Sequence, residues 1–128
     1  MSGRDLRFAF IGCGFIANKH AKALRDVSGA SLCCACDSDP ARAYSFGTAN
    51  NVQTFSSFSE MIRVCGDQID IVSVLTPTGY HLECVYQAAS SGKHVVLEKP
   101  MAISVSQAEE IIDIFAETQA FVEPPEPL

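Results

Sequence analysis

Short apolar runs alternate with segments of helical periodicity along the chain. The apolar runs predict five strands, at Leu6–Ile11, Ser31–Cys36, Val52–Phe55, Ile69–Leu75 and His94–Leu97. The segments between and after them place apolar residues three and four apart and predict helices at Phe15–Asp26, Asp39–Phe46, Ser57–Cys65, Tyr80–Ser91 and Ser104–Thr118. Because strands alternate with helices, we expect an α/β fold with a doubly wound parallel sheet in the order 3-2-1-4-5.

The ends of several helices carry recognisable signals. Pro40 suits the first turn of the second helix, and Gly92 closes the fourth. Ser57 is the predicted N-cap of the third helix, with Glu60 completing a capping box. The 128 residues fit one domain, over residues 1–120. Three prolines near the end cannot continue a helix or a central strand, so we interpret residues 121–128 as a proline-rich tail.

Composition excludes several classes of function. The net charge of −6 repels phosphate backbones, so no nucleic-acid partner is expected. No apolar run approaches the roughly 20 residues that span a bilayer, and no signal-peptide core is present. We therefore expect a cytoplasmic protein that does not contact membranes. An anionic cofactor can still bind, because backbone dipoles act locally.

Six cysteines raise the question of a metal site or disulfides. Cys33 and Cys36 form one C-x-x-C, but they lie in a predicted strand. Residues three apart in a strand point to opposite faces and cannot chelate one ion. No second pair has zinc-ligand spacing. The expectation is no metal, with reduced cysteines buried as small apolar residues.

The first predicted strand runs into a glycine-rich turn and then a helix, over residues 12–17 (GCGFIA). This G-x-G-x-x-A pattern between a strand and a helix is typical of a Rossmann-type dinucleotide site. Gly12 permits the tight turn, Gly14 lets the backbone approach a pyrophosphate, and Ala17 lets the helix pack closely. The helix start, at Phe15 and Ile16, supplies free amides and a positive dipole end for the phosphates. An ordinary glycine turn is the alternative.

Asp37 ends the second predicted strand, near the offset of about 20 residues expected for a ribose-binding acid. A carboxylate there accepts hydrogen bonds from the adenosine ribose and repels a 2′-phosphate, which favours NAD over NADP. Arg42 nearby could soften the exclusion of NADP. The alternative is a turn aspartate, since Asp37-Ser38-Asp39-Pro40 is also turn-like.

Two polar groups follow the fourth and fifth predicted strands, where open α/β sheets bind ligands. They span residues 76–81 (TPTGYH) and 98–100 (EKP). Lys99 is expected to hydrogen-bond a substrate hydroxyl or assist its deprotonation, positioned by Glu98, while His81 lies by the nicotinamide or transfers a proton. Thr76 and Pro77 complete the predicted cofactor site. A helix-start histidine and a solvated lysine–glutamate pair are the alternatives.

Together these motifs resemble the Gfo/Idh/MocA family of NAD(P)-dependent oxidoreductases. The resemblance covers about residues 6 to 118 and rests on Gly12-x-Gly14-x-x-Ala17-x-x-His20, Thr76-Pro77-x-x-x-His81 and Gly92-Lys93-His94-Val95 before Glu98-Lys99-Pro100. It implies that Asp37 marks NAD preference and that Lys99 lies in the active site, by the nicotinamide and substrate. His20 belongs to the pattern with a packing or loop-bracing role.

The resemblance implies an NAD(H)-binding domain of an oxidoreductase that transfers hydride between nicotinamide and a sugar or nucleotide-sugar hydroxyl or ketone. The segments 12–20 and 75–81 look most like nucleotide-sugar 3-dehydrogenases of lipopolysaccharide synthesis. Family members continue into a second α/β domain with a catalytic aspartate–histidine motif. That domain is absent here, so we expect a truncated chain that binds cofactor without efficient turnover. A homo-oligomer is compatible with the resemblance, although family dimers often use the absent sheet.

Two other functions fit parts of the pattern. A non-catalytic NAD-binding sensor would explain the absent domain but would not need Lys99. A methyltransferase also uses a glycine loop and an acid after its second strand, but its cofactor has no pyrophosphate and Glu98-Lys99-Pro100 has no counterpart there.

Overall fold

A six-stranded parallel sheet organises the chain, in the order β3-β2-β1-β4-β5-β6. The computed structural model describes residues 6–76, 81–97 and 122–123. The strands are β1 (Leu6–Ile11), β2 (Ala30–Cys36), β3 (Gln53–Phe55), β4 (Ile71–Val74), β5 (His94–Leu97) and β6 (Val122–Glu123). The helices are α1 (Phe15–Arg25), α2 (Pro40–Asn50), α3 (Phe58–Cys65) and α4 (His81–Ser90), with a 3-10 turn at Gly66–Gln68.

The predicted order 3-2-1-4-5 is confirmed, and β6 adds a parallel edge strand beside β5. No strand was predicted in that segment, which was interpreted as a proline-rich tail. The predicted helix at Ser104–Thr118 lies outside the described residues. None of the helices in the described part of the chain has the length and apolar character that crossing a membrane requires.

Helices cover both faces of the sheet, as predicted for strands that are apolar on both sides. Helices α1 and α2 close one face, around the buried residues Phe10, Cys13, Ala17, Ala21, Ala35, Phe46 and Leu75. Helices α3 and α4 close the other, in a larger core that includes Ala9, Ile11, Cys34, Cys36, Met61, Val72, Val74, Cys84, Ala88 and Val95. The first helix pair and the second lie on opposite faces of the sheet, and strands β2 and β4 lie on either side of β1. Where the connections from neighbouring strands lead to opposite faces, a crevice forms at the carboxyl ends of the strands.

A β-bulge in β2 overturns the argument made for the C-x-x-C pair. Phe8 pairs with Leu32 but Ala9 pairs with Cys34, so Cys33 is an extra residue without a counterpart in β1. The bulge shifts by one residue the alternation of side chains between the two faces of the sheet. As a result, Cys33 packs against the same core that contains Cys36. The prediction that they face opposite sides was therefore wrong.

The six cysteines all lie in the described part of the chain and form no disulfides; five of them are buried and Cys33 is half-buried. This confirms the prediction that they act mainly as small apolar residues. Within residues 6–76, 81–97 and 122–123, no group of three or more His, Cys, Asp or Glu side chains could hold a metal ion.

Several element ends differ from the predicted ones. Helix α2 continues to Asn50, past the predicted end at Phe46, and stops where Asn51 adopts a left-handed conformation with φ of 54°. Strand β4 is shorter than predicted at both ends, since it runs from Ile71 to Val74. The predicted cap of α3 is confirmed, since the Ser57 hydroxyl accepts from the amide of Glu60 at 3.1 Å.

Met61 tests the core between α3 and the sheet. Its side chain is 0% exposed, whereas Val64 on the same helix is 47% exposed. Met61→Ala should lower the free energy of unfolding by about 2–5 kcal/mol, because it leaves a cavity. Val64→Ala is the matched control and should change it by less than about 0.5 kcal/mol. Urea denaturation measures both, and equal losses would show that Met61 is not a core residue.

Candidate functional site

A cleft of about 500 Å³ lies at the carboxyl ends of the central strands. This volume is within the range of about 300–1,000 Å³ typical of sites for small molecules and cofactors. The lining residues come from the ends of β1, β2, β3 and β4 and from the loops and helices that follow: Ile11, Gly12, Gly14, Cys36, Asp37, Ser38, Arg42, Ser56, Ser57, Phe58, Thr76, Cys84 and Gln87.

The turn after β1 requires glycine for two different reasons. Gly12 has φ of +108°, and a Cβ there would lie 3.0 Å from the carbonyl carbon of Leu75 and 3.2 Å from the nitrogen of Thr76. The turn therefore passes directly against the end of β4. A Cβ on Gly14 would meet nothing within 4 Å. The missing side chain at Gly14 leaves open space in the wall of the cleft, and a ligand can approach the backbone closely there.

The start of α1 differs from the starts of α2 and α3. Asp39 caps α2 by accepting from the amides of Ala41 and Arg42, and Ser57 caps α3. In the described part of the chain, no side chain caps α1, whose N-cap is Gly14, and its first turn has no acidic residue. The amides at this end and the positive end of the helix dipole therefore remain available to an anion at the cleft.

Asp37 joins the end of β2 to the glycine-rich turn. Its Oδ2 accepts from the amide of Cys13 at 2.9 Å, and its Oδ1 accepts from the amide of Asp39 at 2.8 Å. The side chain is 7% exposed. The turn-aspartate interpretation is thus correct in part, but the bond to Cys13 also fixes the loop that a dinucleotide would contact.

Arg42 completes the surroundings of Asp37. Its Nε donates to Asp37 Oδ2 at 3.2 Å and its Nη2 to Oδ1 at 3.4 Å. Burial works against the charge of Asp37, but the amides of Asp39 and Cys13 and the guanidinium of Arg42 outweigh it and lower the pKa of the carboxyl group below its usual value. Asp37 is therefore a carboxylate at neutral pH.

Two thiols lie beside this carboxylate. Burial raises the pKa of Cys13 to about 12, with a further increase from the charge of Asp37 and a decrease from Arg42. Burial also raises the pKa of Cys36 to about 12, with smaller increases from neighbouring Cys13 and Cys84. Both remain protonated at neutral pH, so they act as small apolar core residues rather than as nucleophiles.

The structure brings Gly12, Gly14, Asp37 and Thr76 together in the cleft. Phe15 and Ile16 form the first turn of α1 beside it, and the Phe15 side chain is 74% exposed, with the Lys19 ammonium 5.0 Å from its ring centre. His81 begins α4. The predicted positions Pro77, Glu98 and Lys99 lie outside the described residues. The packing role of His20 is confirmed by an edge-to-face contact with Phe10, at 6.3 Å between ring centres.

Several lining residues were missed by the sequence analysis. Ser56, Ser57 and Phe58 follow β3, so the rule that ligands bind at the carboxyl ends of strands could have found them. Cys84 and Gln87 lie one turn apart on α4, and only the packing of that helix brings them to the cleft.

The chain matches one family over most of its length. Residues 6–124 match the Gfo/Idh/MocA oxidoreductase family, which has an NAD-binding Rossmann fold.

Individual relatives agree with this assignment. The chain is 35% identical to glucose-6-phosphate 3-dehydrogenase of Bacillus subtilis over 102 residues, which is 80% of this chain and 28% of that protein. It is 30% identical to D-apiose dehydrogenase of Paraburkholderia graminis over 105 residues, 81% of this chain and 28% of that one. The chain thus spans less than a third of the length of these two relatives.

A solved structure shows the same fold. The WlbA dehydrogenase of Bordetella pertussis, in complex with NADH and UDP-GlcNAcA, has a TM-score of 0.85 and 30% identity, over 95% of this chain and 37% of that one. Together with the glycine turn and the acid at the end of β2, these matches show that the chain belongs to the Gfo/Idh/MocA family of NAD-binding oxidoreductases.

Proposed function

We propose that this chain is the NAD(H)-binding domain of a dehydrogenase that oxidises or reduces a sugar or nucleotide sugar at a hydroxyl or ketone carbon. One observation carries the proposal: the uncapped start of α1 and the carboxylate of Asp37 line the same cleft. The first suits a diphosphate and the second suits a ribose, and a dinucleotide contains both groups.

The residues of the cleft fit each part of the adenosine half of the cofactor. The open wall at Gly14 and the amides of Phe15 and Ile16 would hold the pyrophosphate. Asp37 would accept from the ribose hydroxyls. Phe58 offers an apolar surface to the adenine ring.

The chemistry at the other half depends on residues after β4 and β5. Bound nicotinamide supplies the hydride acceptor or donor. In this proposal Lys99, positioned by Glu98, hydrogen-bonds the substrate hydroxyl and moves its proton, and His81 assists beside the nicotinamide. Thr76 and Pro77 contact the cofactor between these groups.

The substrate class follows from the relatives. The three proteins described above act on or bind sugars, sugar phosphates or a UDP-linked sugar acid, by their names. A nucleotide-sugar substrate in lipopolysaccharide synthesis is the narrower form of the proposal. The proposal places the protein in the cytoplasm, where its thiols stay reduced, and includes assembly into a homo-oligomer.

Calorimetric titration of the chain with NADH and with NADPH tests the cofactor assignment. The wild-type chain should bind NADH about tenfold more tightly, because the charge of Asp37 repels a 2′-phosphate. Asp37→Asn removes this charge and should reduce the difference between the NADH and NADPH affinities. Equal affinities of the wild-type chain for both cofactors would refute the NAD assignment.

Gly14 and Gly12 form a matched pair for the phosphate site. Gly14→Ala adds a methyl group into open space, so the free energy of unfolding should stay the same or rise by up to about 1 kcal/mol. Its NADH affinity should nevertheless fall about tenfold or more, because the methyl group occupies the place of the pyrophosphate. Gly12→Ala should instead lower the free energy of unfolding by about 1–3 kcal/mol. A Gly14→Ala variant that binds NADH like the wild type would show that the pyrophosphate lies elsewhere.

The low pKa of Asp37 predicts how stability depends on pH. A carboxyl group whose pKa is lower in the folded than in the unfolded chain stabilises the fold above about pH 4, the usual pKa, and loses that contribution as pH falls through the folded value. Between pH 7 and pH 3, Asp37→Asn should therefore lose less free energy of unfolding than the wild type. Asp26→Asn, at an exposed position, is the control and should follow the wild type. Denaturant titrations at both pH values measure the difference, and equal losses in all three chains would contradict the role of Asp37.

A further inference from the structure

The start of α1 has a glycine at its N-cap and lacks the side-chain cap that α2 and α3 have. Gly14 has no Cβ, so the peptides on either side of it rotate more freely than those of other residues. The peptide that joins Gly14 to Phe15 carries the first amide of α1. A diphosphate site built on this amide needs a contact that holds the peptide in place and leaves the amide free.

Asn18 supplies such a contact from within the helix. Its Nδ2 donates to the Gly14 carbonyl oxygen at 3.2 Å, beside the helical bond from its own backbone amide at 3.3 Å. A trans peptide is planar, and its C=O and N–H point in opposite directions. By holding the Gly14 carbonyl along the helix, Asn18 directs the Phe15 N–H out of the start of α1, where the proposed function places the pyrophosphate.

Asn50, the last residue of α2, fixes the orientation of the Asn18 side chain. Its Nδ2 donates to Asn18 Oδ1 at 3.3 Å and to the Phe46 carbonyl at 3.0 Å, so both of its N–H bonds are used. Its Oδ1 accepts from Nη1 of Arg25, the last residue of α1, at 2.9 Å. Rotating the amide of Asn18 or Asn50 by 180° would place oxygen against oxygen, so only one orientation of each satisfies these bonds.

This network holds an orientation and contributes little to the stability of the fold. Asn18 and Arg25 are exposed and Asn50 is half-buried, so water can replace each bond at a small cost. The packing of α1 depends instead on Ala17 and Ala21, which are 1% and 2% exposed. Loss of the network should therefore free the peptide at the start of α1 and leave the helix in place.

We propose that Asn50 is a positioning residue for the diphosphate: through Asn18 it holds the Gly14–Phe15 peptide with its amide toward the ligand. The inference rests on the proposed function and adds to that site a residue of a second helix, which does not itself line the cleft. None of the hydrogen bonds of the Asp37 carboxylate involves this network. The effect should therefore be confined to ligands that carry a phosphate in the pyrophosphate position.

Binding of ADP and of adenosine to the 128-residue chain separates positioning from a general structural role. The two ligands differ by the diphosphate alone, and NMR titration measures the affinity for each. Asn50→Ala should weaken ADP binding about three- to tenfold, because the Phe15 amide is no longer held toward the diphosphate. Its adenosine affinity should stay within about twofold of the wild type. Thr48→Ala, at an exposed position of the same helix, is the matched control and should leave both affinities unchanged.

A double-variant cycle with Asn18→Ala tests the route of the effect. Asn18→Ala removes the side-chain bond to the Gly14 carbonyl and should weaken ADP binding at least as much as Asn50→Ala. Because Asn50 acts through Asn18, the double variant should bind ADP no more weakly than Asn18→Ala alone. Urea denaturation of each variant checks that the chain remains folded.

The outcomes are distinct. Equal losses of ADP and adenosine affinity in Asn50→Ala would show that the network only supports the fold and would overturn the inference. Losses that add in the double variant would also overturn it, because Asn50 would then act without Asn18. Unchanged ADP affinity in Asn50→Ala would do the same while leaving the proposed function standing. A wild-type chain that binds neither ADP nor NADH would instead overturn the proposed function, and the inference with it.

Discussion

The hydrogen bond from the amide of Cys13 to Asp37, at 2.9 Å, connects the two parts of the candidate cofactor site. It joins the turn after β1 to the end of β2, and it is strong because its acceptor is charged. The lowered pKa of Asp37 keeps that charge at neutral pH. A residue expected to bind ribose therefore also holds the loop that would bind phosphate. The geometry of the whole cleft depends on this one carboxylate remaining ionised and in place.

An acidic chain can build an anion site because the relevant charges are local. The net charge of −6 is spread over the surface, and ions in solution screen it over about 10 Å. At the start of α1, by contrast, Gly14 lines the cleft, and the backbone amides of the first turn have neither a side-chain cap nor an acidic neighbour in that turn. The turn of residues 12–17, and not the overall composition, therefore decides whether the chain can bind a nucleotide.

The parts of the fold that the sequence predicted correctly are set by local patterns. The glycine turn, the cap at Ser57 and the strand order follow from short-range spacing and from the alternation of strands and helices. The bulge at Cys33 was missed because it exists only in the pairing of β2 with β1. The placement of Cys84 and Gln87 in the cleft was missed for a similar reason, since it depends on how α4 packs against the sheet. The bulge and the positions of Cys84 and Gln87 both arise from contacts between distant segments.

The double role of Asp37 limits how this site can change its cofactor. Replacing Asp37 by a small neutral residue would remove the repulsion of a 2′-phosphate, but it would also remove the acceptor that holds the amide of Cys13 and leave that donor unpaired in a partly buried turn. A change at Arg42 has no such cost, because its side chain is exposed and contributes no backbone contact to the turn. Any change at Asp37 is therefore constrained by the turn that it holds as well as by the cofactor that the cleft would bind.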